Sequence, residues 1–409
     1  MAIIRPFNAV RPNESIVHHV ASVPYDVVSR EEAAEHAKDN PLSFLRVTRA
    51  EIEMKKEIDV YSQEVYQKAK ANWERLKLIA PMIKDSEPHL YVYSIIMGDH
   101  SQTGIAATFS VNDYNNNVIK KHEKTRKVKE DDRTNHIVTT EAQTGPVFLT
   151  YKPVSEVDIA VIETQKQKPM YDFVAPDGIK HKVWIMPDEL TDSVITEIAK
   201  VENLYIADGH HRAASASRAQ KVKQEKNPNH SGGEEYNYFL AVLFPADQLK
   251  IFPYNRVVFD LKMNKEEFKK KVETNFSIEK TNSPNPPSSK TFTMYIDKNW
   301  YLLKPNQNVK PGNSIGEKLD VSIVQAFLLA PILGIVDPRT DNNIDFIGGI
   351  RGTVELEKLV DSGKASVAFS MFPVSVDDLI NISDAGETMP PKSTWFEPKL
   401  RDGLLVHTI

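Results

Sequence analysis

The sequence predicts an α+β protein with a mixed sheet, and three observations carry that expectation. Leu204-Tyr205-Ile206 reads as the end of a buried strand, Asp208-Gly209 as a tight turn, and the Ala/Ser-rich run after Arg212 as a helix. His89 to Ile96 and Gly104 to Tyr114 read as two strands joined by the Gly98-Asp99-His100 turn. From Lys55 to Ile79 the apolar residues Ile58, Tyr61, Val65, Ala69, Trp73 and Leu76 recur at three- and four-residue steps, which predicts an amphipathic helix whose stripe belongs to the core.

At 409 residues the chain has room for two or three domains, and 41% hydrophobic with 26% charged residues describes a globular protein. A net charge of −5 argues against a strongly basic nucleic-acid footprint. The chain contains no cysteine, which removes disulfides, thiolate nucleophiles and cysteine-ligated metal sites. The opening Met1-Ala2-Ile3-Ile4-Arg5-Pro6 lacks a signal-peptide core and no apolar run is long enough to span a bilayer, so a cytoplasmic protein without a membrane partner is expected. No internal repeat stands out, which speaks against a solenoid or propeller.

Near the start, Val23-Pro24-Tyr25-Asp26-Val27-Val28 leads to Ser29, a natural N-cap for the alanine-rich Glu31 to Lys38, with Glu32 at the capping-box position. Asp26 then sits in the loop entering that helix, either as a turn carboxylate or as a site acid. The run from Val118 to Arg133 mixes both signs at high density and reads as a solvated helix or loop. Its alternative role is a site in which Glu123 acts as a base while Lys and Arg residues cancel phosphate charge. Gly145 to Tyr151 and Lys182 to Met186 read as strands, Ser193 to Val201 as a helix, and Tyr238 to Phe244 as a strongly apolar strand. Asn264 with Glu267 opens a helix through Val272.

Residues 281–290, with three prolines, form a linker or long loop. Beyond it, Thr291 to Ile296 pairs with Trp300 to Leu303, Val321 to Leu333 and Val354 to Val360 read as helices, and Val367 to Phe372 as a strand. The expected organisation is a core over 1–280 with its site turn at 204–215, and a C-terminal α/β portion over 291–409. That portion contributes the loop 389–403, where Lys392, Ser393 and Thr394 stand ready to hydrogen-bond an anion or simply pack over the core.

The chemistry concentrates at Asp208-Gly209-His210-His211-Arg212. One reading is a helix-capping turn with local ion pairs. Another is a metal site using Asp208, but adjacent histidines point about 100° apart on a helix, unlike the four-residue spacing that puts two imidazoles on one face. The third is a phosphate-binding turn, in which helix N–H groups and the dipole attract an anion, Gly209 permits close approach and Arg212 grips phosphate oxygens. Asp208 then holds magnesium or polarises a hydroxyl, and His211 donates to the phosphoryl group. Neither a G-x-x-x-x-G-K-S/T loop nor a kinase-type glycine loop is present.

These residues carry a resemblance. The Val23 to Val27 opening, His122-Glu123-Lys124-Thr125 with Asp132-Arg133, Ala207 to Arg212, and Pro391 to Lys399 resemble, in that order, the bacterial and archaeal family catalogued as domain-of-unknown-function family 1015. Its DGHHR-type turn is similar to the D-G-x-H-R motif of free-serine kinases with the ParB/sulfiredoxin fold. The resemblance implies a ParB/sulfiredoxin-like strand–turn–helix that cradles nucleotide phosphates, elaborated by further α/β segments, and it carries over Asp208, His211 and Arg212. The base that activates the acceptor is not carried over by that motif, and Glu123 and Asp26 are its candidates.

The expectation is therefore a small-molecule kinase using ATP or ADP and Mg2+, with a hydroxyl metabolite, free L-serine first among them, as acceptor. Asp208, His211, Glu123 and Asp26 are its catalytic candidates and Asp208 its metal ligand. Gly209, His210, Arg212, Arg133, Lys392, Ser393 and Thr394 are its phosphate-binding candidates. A nucleotide-binding switch without turnover and a metal-dependent hydrolase are the alternatives. A homo-oligomer is left open.

Overall fold

The computed structural model describes residues 2–409 and separates into two compact units. The first holds the described residues up to Lys121, Thr125–Leu249 and Pro398–Ile409; the second holds His122–Lys124 and Lys250–Glu397. The chain is mixed α/β. Its boundary at Leu249/Lys250 precedes the proline-rich stretch, which is a loop inside the second unit between the strands Phe276–Thr281 and Phe292–Ile296.

A mixed sheet organises the first unit. Its strands run in the order Ile119–Lys120, Leu204–Asp208, Val147–Tyr151, Tyr238–Pro245, His100–Ser110, Tyr91–Met97, Lys180–Ile185 and Tyr171–Val174, with Ile4–Arg5 added along His100–Ser110. Val147–Tyr151 pairs antiparallel with Leu204–Asp208 and parallel with Tyr238–Pro245. Those central strands are nearly continuous runs of buried Val, Leu, Ile, Phe and Ala, the pattern of a sheet covered on both faces. The helices Ser155–Gln165, Asp188–Lys200 and His210–Lys226 supply Val157, Val194, Ile198, Ala213 and Ala216 to the same core.

Two elements differ from their periodicity. The amphipathic helix starts at Gln63, because Asp59 closes a turn by accepting from the Tyr61 backbone N–H at 3.0 Å and Ser62 takes the extended N-cap conformation. The strand expected to run to Tyr114 ends at Ser110, whose hydroxyl caps the short helix Val111–Asn115 through the Asp113 N–H. The Ser29 capping box is present as expected, opening Arg30–Ala37.

The segment Pro398–Ile409 is woven into the first unit by backbone pairing. Ser22 and Asp402 exchange N–H···O bonds of 3.1 and 2.9 Å, Val10 pairs with Val406, and Gly403 donates to Thr144 at 3.1 Å. His407–Thr408 pairs with Ala142–Gln143.

The second unit contains an antiparallel sheet in the order Phe276–Thr281, Asn299–Pro305, Phe292–Ile296, Val367–Ser370, Tyr254–Val258 and Ile344–Gly348. Val257, Tyr295, Trp300, Leu356 and Ala368 form a core cluster against it. Asn264 caps Lys265–Glu273 by accepting from Glu267 N–H. The apolar stretch from Asp320 to Leu333 is helical with a widened π turn at Gln325–Leu329.

Candidate active site

The central turn of the first unit forms as a bulged strand end, a glycine and a helix start. Leu204–Asp208 loses its regular register against Val147–Tyr151 between Ile206 and Asp208, and such a bulge re-aims the side chain that follows. Gly209 then takes φ +93°, a left-handed conformation that favours glycine. A Cβ there would also lie 3.1 Å from Arg212 Nε. His210–Lys226 follows for 17 residues with no side-chain cap, so the N–H groups of its first turn have no acceptor within the helix. This is the arrangement that binds anions at helix N-termini.

Four charges meet at that turn. Asp208 Oδ2 accepts from Lys399 Nζ at 3.1 Å and lies 3.7 Å from Arg212 Nη2, which in turn is 4.0 Å from Asp26 Oδ2. Burial works to raise the Asp208 carboxyl, but the charges of Lys399 and Arg212 and the Lys399 hydrogen bond outweigh it and hold the group well below the usual carboxylate range. Asp208 is thus ionised at neutral pH while its side chain keeps 30% of its exposure. Arg212 is fixed from behind, donating through Nη1 to the Pro146 carbonyl.

Beyond Arg212 lies a second layer of charge. Arg133 forms two 3.0 Å hydrogen bonds with Asp132, donates to the Thr48 carbonyl at 3.3 Å, and places its guanidinium 4.2 Å from the Tyr25 ring centroid. Arg133, Arg212, Tyr25, Gly145, Phe239 and Asp402 line a cavity of about 30 Å3. Asp402 is 1% exposed, and burial pushes its carboxyl up to about 7. Arg212, Arg133 and the Tyr25 backbone N–H pull it down, while Asp26 pushes it further up.

The two histidines of the motif take different environments. His211 Nε2 accepts from the Arg126 backbone N–H at 3.1 Å, which fixes a neutral ring with its proton on Nδ1. Burial lowers its basicity, consistent with that tautomer. His210 is buried at the helix start.

Of the expected site residues, the first unit brings together Asp208, Gly209, Arg212 and Asp26, with Arg133 on the shared cavity and His211 at the helix start. Glu123 belongs to the second unit, where it lines an open cleft of about 680 Å3 with Lys124, Ser314, Glu317, Arg339 and Glu387. Lys392, Ser393 and Thr394 are also in the second unit. Lys392 has φ +58°, donates to the Tyr254 hydroxyl at 3.3 Å, and accepts at its carbonyl from Arg256. Ser393 is buried and donates to the Pro390 carbonyl at 2.6 Å. Two residues that sequence reasoning did not single out are Lys399 and Asp402. Lys399 closes a block already notable for its cations, whereas Asp402 offers no local signal beyond an Asp-Gly pair.

The chain matches the family described as "Protein of unknown function (DUF1015)" over residues 4–322. Among curated proteins none matches. Among solved structures, it is similar to a free serine kinase in complex with AMP, with 10% identity, a TM-score of 0.36, and coverage of 73% of this chain and 91% of that one. SbnI with C-terminal truncation from Staphylococcus aureus gives 12% identity, a TM-score of 0.39, and coverage of 73% and 86%. A conserved hypothetical protein from Pyrococcus furiosus gives 10% identity, a TM-score of 0.35, and coverage of 73% and 93%.

Proposed function

The chain belongs to the DUF1015 family, and we propose that it is a small-molecule kinase that moves a phosphoryl group from ATP or ADP to the hydroxyl of a small metabolite, with free L-serine as the first acceptor to test. The observation that carries this reading is the turn at Asp208. It has an uncapped 17-residue helix N-terminus, a left-handed glycine that lets a ligand approach the backbone, and Lys399 and Arg212 flanking one ionised carboxylate. The D-G-x-H-R resemblance supports the same assignment.

Phosphoryl transfer asks the protein mainly for positioning and charge neutralisation. First-turn N–H groups and Arg212 bind phosphate oxygens, and Lys399 offsets charge on the transferred group. His211, with its proton on Nδ1, is a neutral donor at the helix start. A magnesium ion is commonly held by one or two carboxylates together with substrate phosphates, and Asp208, ionised and partly exposed, fits the role of that carboxylate. When bound, the ion supplies further neutralisation of phosphate charge.

Purified protein given labelled ATP or ADP, Mg2+ and a panel of hydroxyl metabolites is expected to yield a labelled phosphoester, with L-serine giving O-phosphoserine. Absence of product with every donor and acceptor sinks the proposal.

A further inference from the structure

Two residues that line the 30 Å3 cavity each carry a buried polar atom with no hydrogen-bond partner among the described residues: Arg212 Nε and Asp402 Oδ1. Arg212 is 8% and Asp402 1% exposed. Leaving such a donor or acceptor unpaired is destabilising, and more so when it is charged. A folded protein keeps such pairs open where a ligand or water completes them. The lining residue beside Asp402 is glycine for a steric reason, since a Cβ on Gly145 would come within 2.3 Å of Asp402 Oδ1. Any larger residue there would displace the carboxylate or fill the space in front of it.

An N–H donor and a carboxyl oxygen on one cavity call for a group that both accepts and donates, and a hydroxyl does both. The space suits something that small, because a water-sized group needs roughly 10–15 Å3 of it. Arg212 also ties the cavity to the turn. Its Nη2 faces Asp208, and its Nε belongs to the same rigid planar group. A hydroxyl held at Nε therefore lies beside the phosphate position of the proposed kinase.

We propose that this cavity receives the acceptor's hydroxyl group and that Asp402 is the general base of the transfer. The proposal rests on the kinase reading and names the base that reading left to Asp26 or Glu123. The acceptor oxygen forms its bond to the γ-phosphorus of ATP (or the β-phosphorus of ADP) as the bond to the bridging oxygen breaks. Nucleoside di- or monophosphate leaves with that electron pair, and the acceptor proton passes to Asp402 Oδ1 and then to solvent. A carboxyl raised by burial is a more effective base than an ordinary aspartate, and it faces Arg212, Arg133, Asp26 and the Tyr25 N–H.

The test uses the full chain and compares wild type with Asp402→Asn and Gly145→Ala, each checked for native circular dichroism. ATP binding is measured by calorimetry, and L-serine binding by equilibrium dialysis with a non-hydrolysable ATP analogue. Asp402→Asn is expected to keep ATP affinity within about threefold, to lower kcat about 10²- to 10⁴-fold, and to lose the acidic limb of the kcat–pH profile. Gly145→Ala is expected to weaken L-serine binding with ATP affinity unchanged. Full turnover by Asp402→Asn from an active wild type removes Asp402 and leaves the kinase reading standing. An inactive wild type that binds L-serine, and loses it in Gly145→Ala, removes the kinase reading and keeps the hydroxyl site. L-serine binding that neither substitution changes means that the cavity holds water alone, and this overturns the proposal.

Discussion

Lys399 Nζ lies 3.1 Å from Asp208 Oδ2 although 191 residues separate the two in sequence. The lysine side chain is 11% exposed, so the pair is largely shielded from solvent. A partly buried charge-assisted hydrogen bond contributes more than an exposed pair, of order 1.5–3 kcal/mol. Lys399→Met is expected to weaken ATP binding about ten- to hundredfold, read by titration calorimetry. Unchanged affinity removes Lys399 from the phosphate site.

Asp208→Asn separates turnover from binding. The amide keeps the size of the side chain but removes the charge that Lys399 and Arg212 balance. Turnover is expected to fall at least a hundredfold while nucleotide affinity changes by less than about tenfold, a difference of about 1.4 kcal/mol. Equal loss of both would favour a structural role for the carboxylate.

Gly209→Ala tests the turn itself. At φ +93° an alanine meets the left-handed penalty, about 1–2 kcal/mol, and its Cβ crowds the Arg212 guanidinium. Urea unfolding is expected to show a loss of that size, together with reduced ATP binding. An alanine variant as stable as wild type would show that the backbone relaxes here.

Asp402 and Asp208 oppose each other in pH dependence. The folded state raises Asp402 to about 7 from an unfolded value near 3.9, so its contribution to stability is fully present below about pH 4 and is lost as pH rises through 7. Each pKa unit is worth about 1.4 kcal/mol, so the decline amounts to a few kcal/mol. Asp208, depressed in the folded state, contributes above the unfolded value and loses its share as pH falls. Urea unfolding of wild type and Asp402→Asn at pH 5, 6, 7 and 8 is expected to give a flatter dependence in the variant. Parallel curves would place the Asp402 titration elsewhere.

The central turn was legible in the sequence because all of its determinants are local: an apolar strand, an Asp-Gly turn and a helix-forming run. The Ser29 capping box and the Asn264 cap were legible for the same reason. The helix start at Gln63 was not, because Ile58 and Tyr61 continue the apolar period while the Asp59 turn already breaks the backbone pattern. Asp26 and Arg133 were found as members of charged or turn-rich blocks, but their convergence on Arg212 and Tyr25 depends on tertiary pairing. Asp402 was hidden altogether. Its burial, its pairing with Ser22 and its approach to Gly145 are contacts across hundreds of residues, and no local period encodes them.

The return of Pro398–Ile409 to the first unit sets an order of events during synthesis. A ribosome that has delivered residues up to Leu249 has made almost all of that unit's strands, yet Lys399, Asp402 and the partners of Ser22, Val10 and Thr144 are still missing. They emerge only after the whole of 250–397. A nascent first unit therefore waits with Asp208 lacking its lysine and with open backbone groups at Val10 and Ser22, and its final closure is a late event, after translation has passed residue 409.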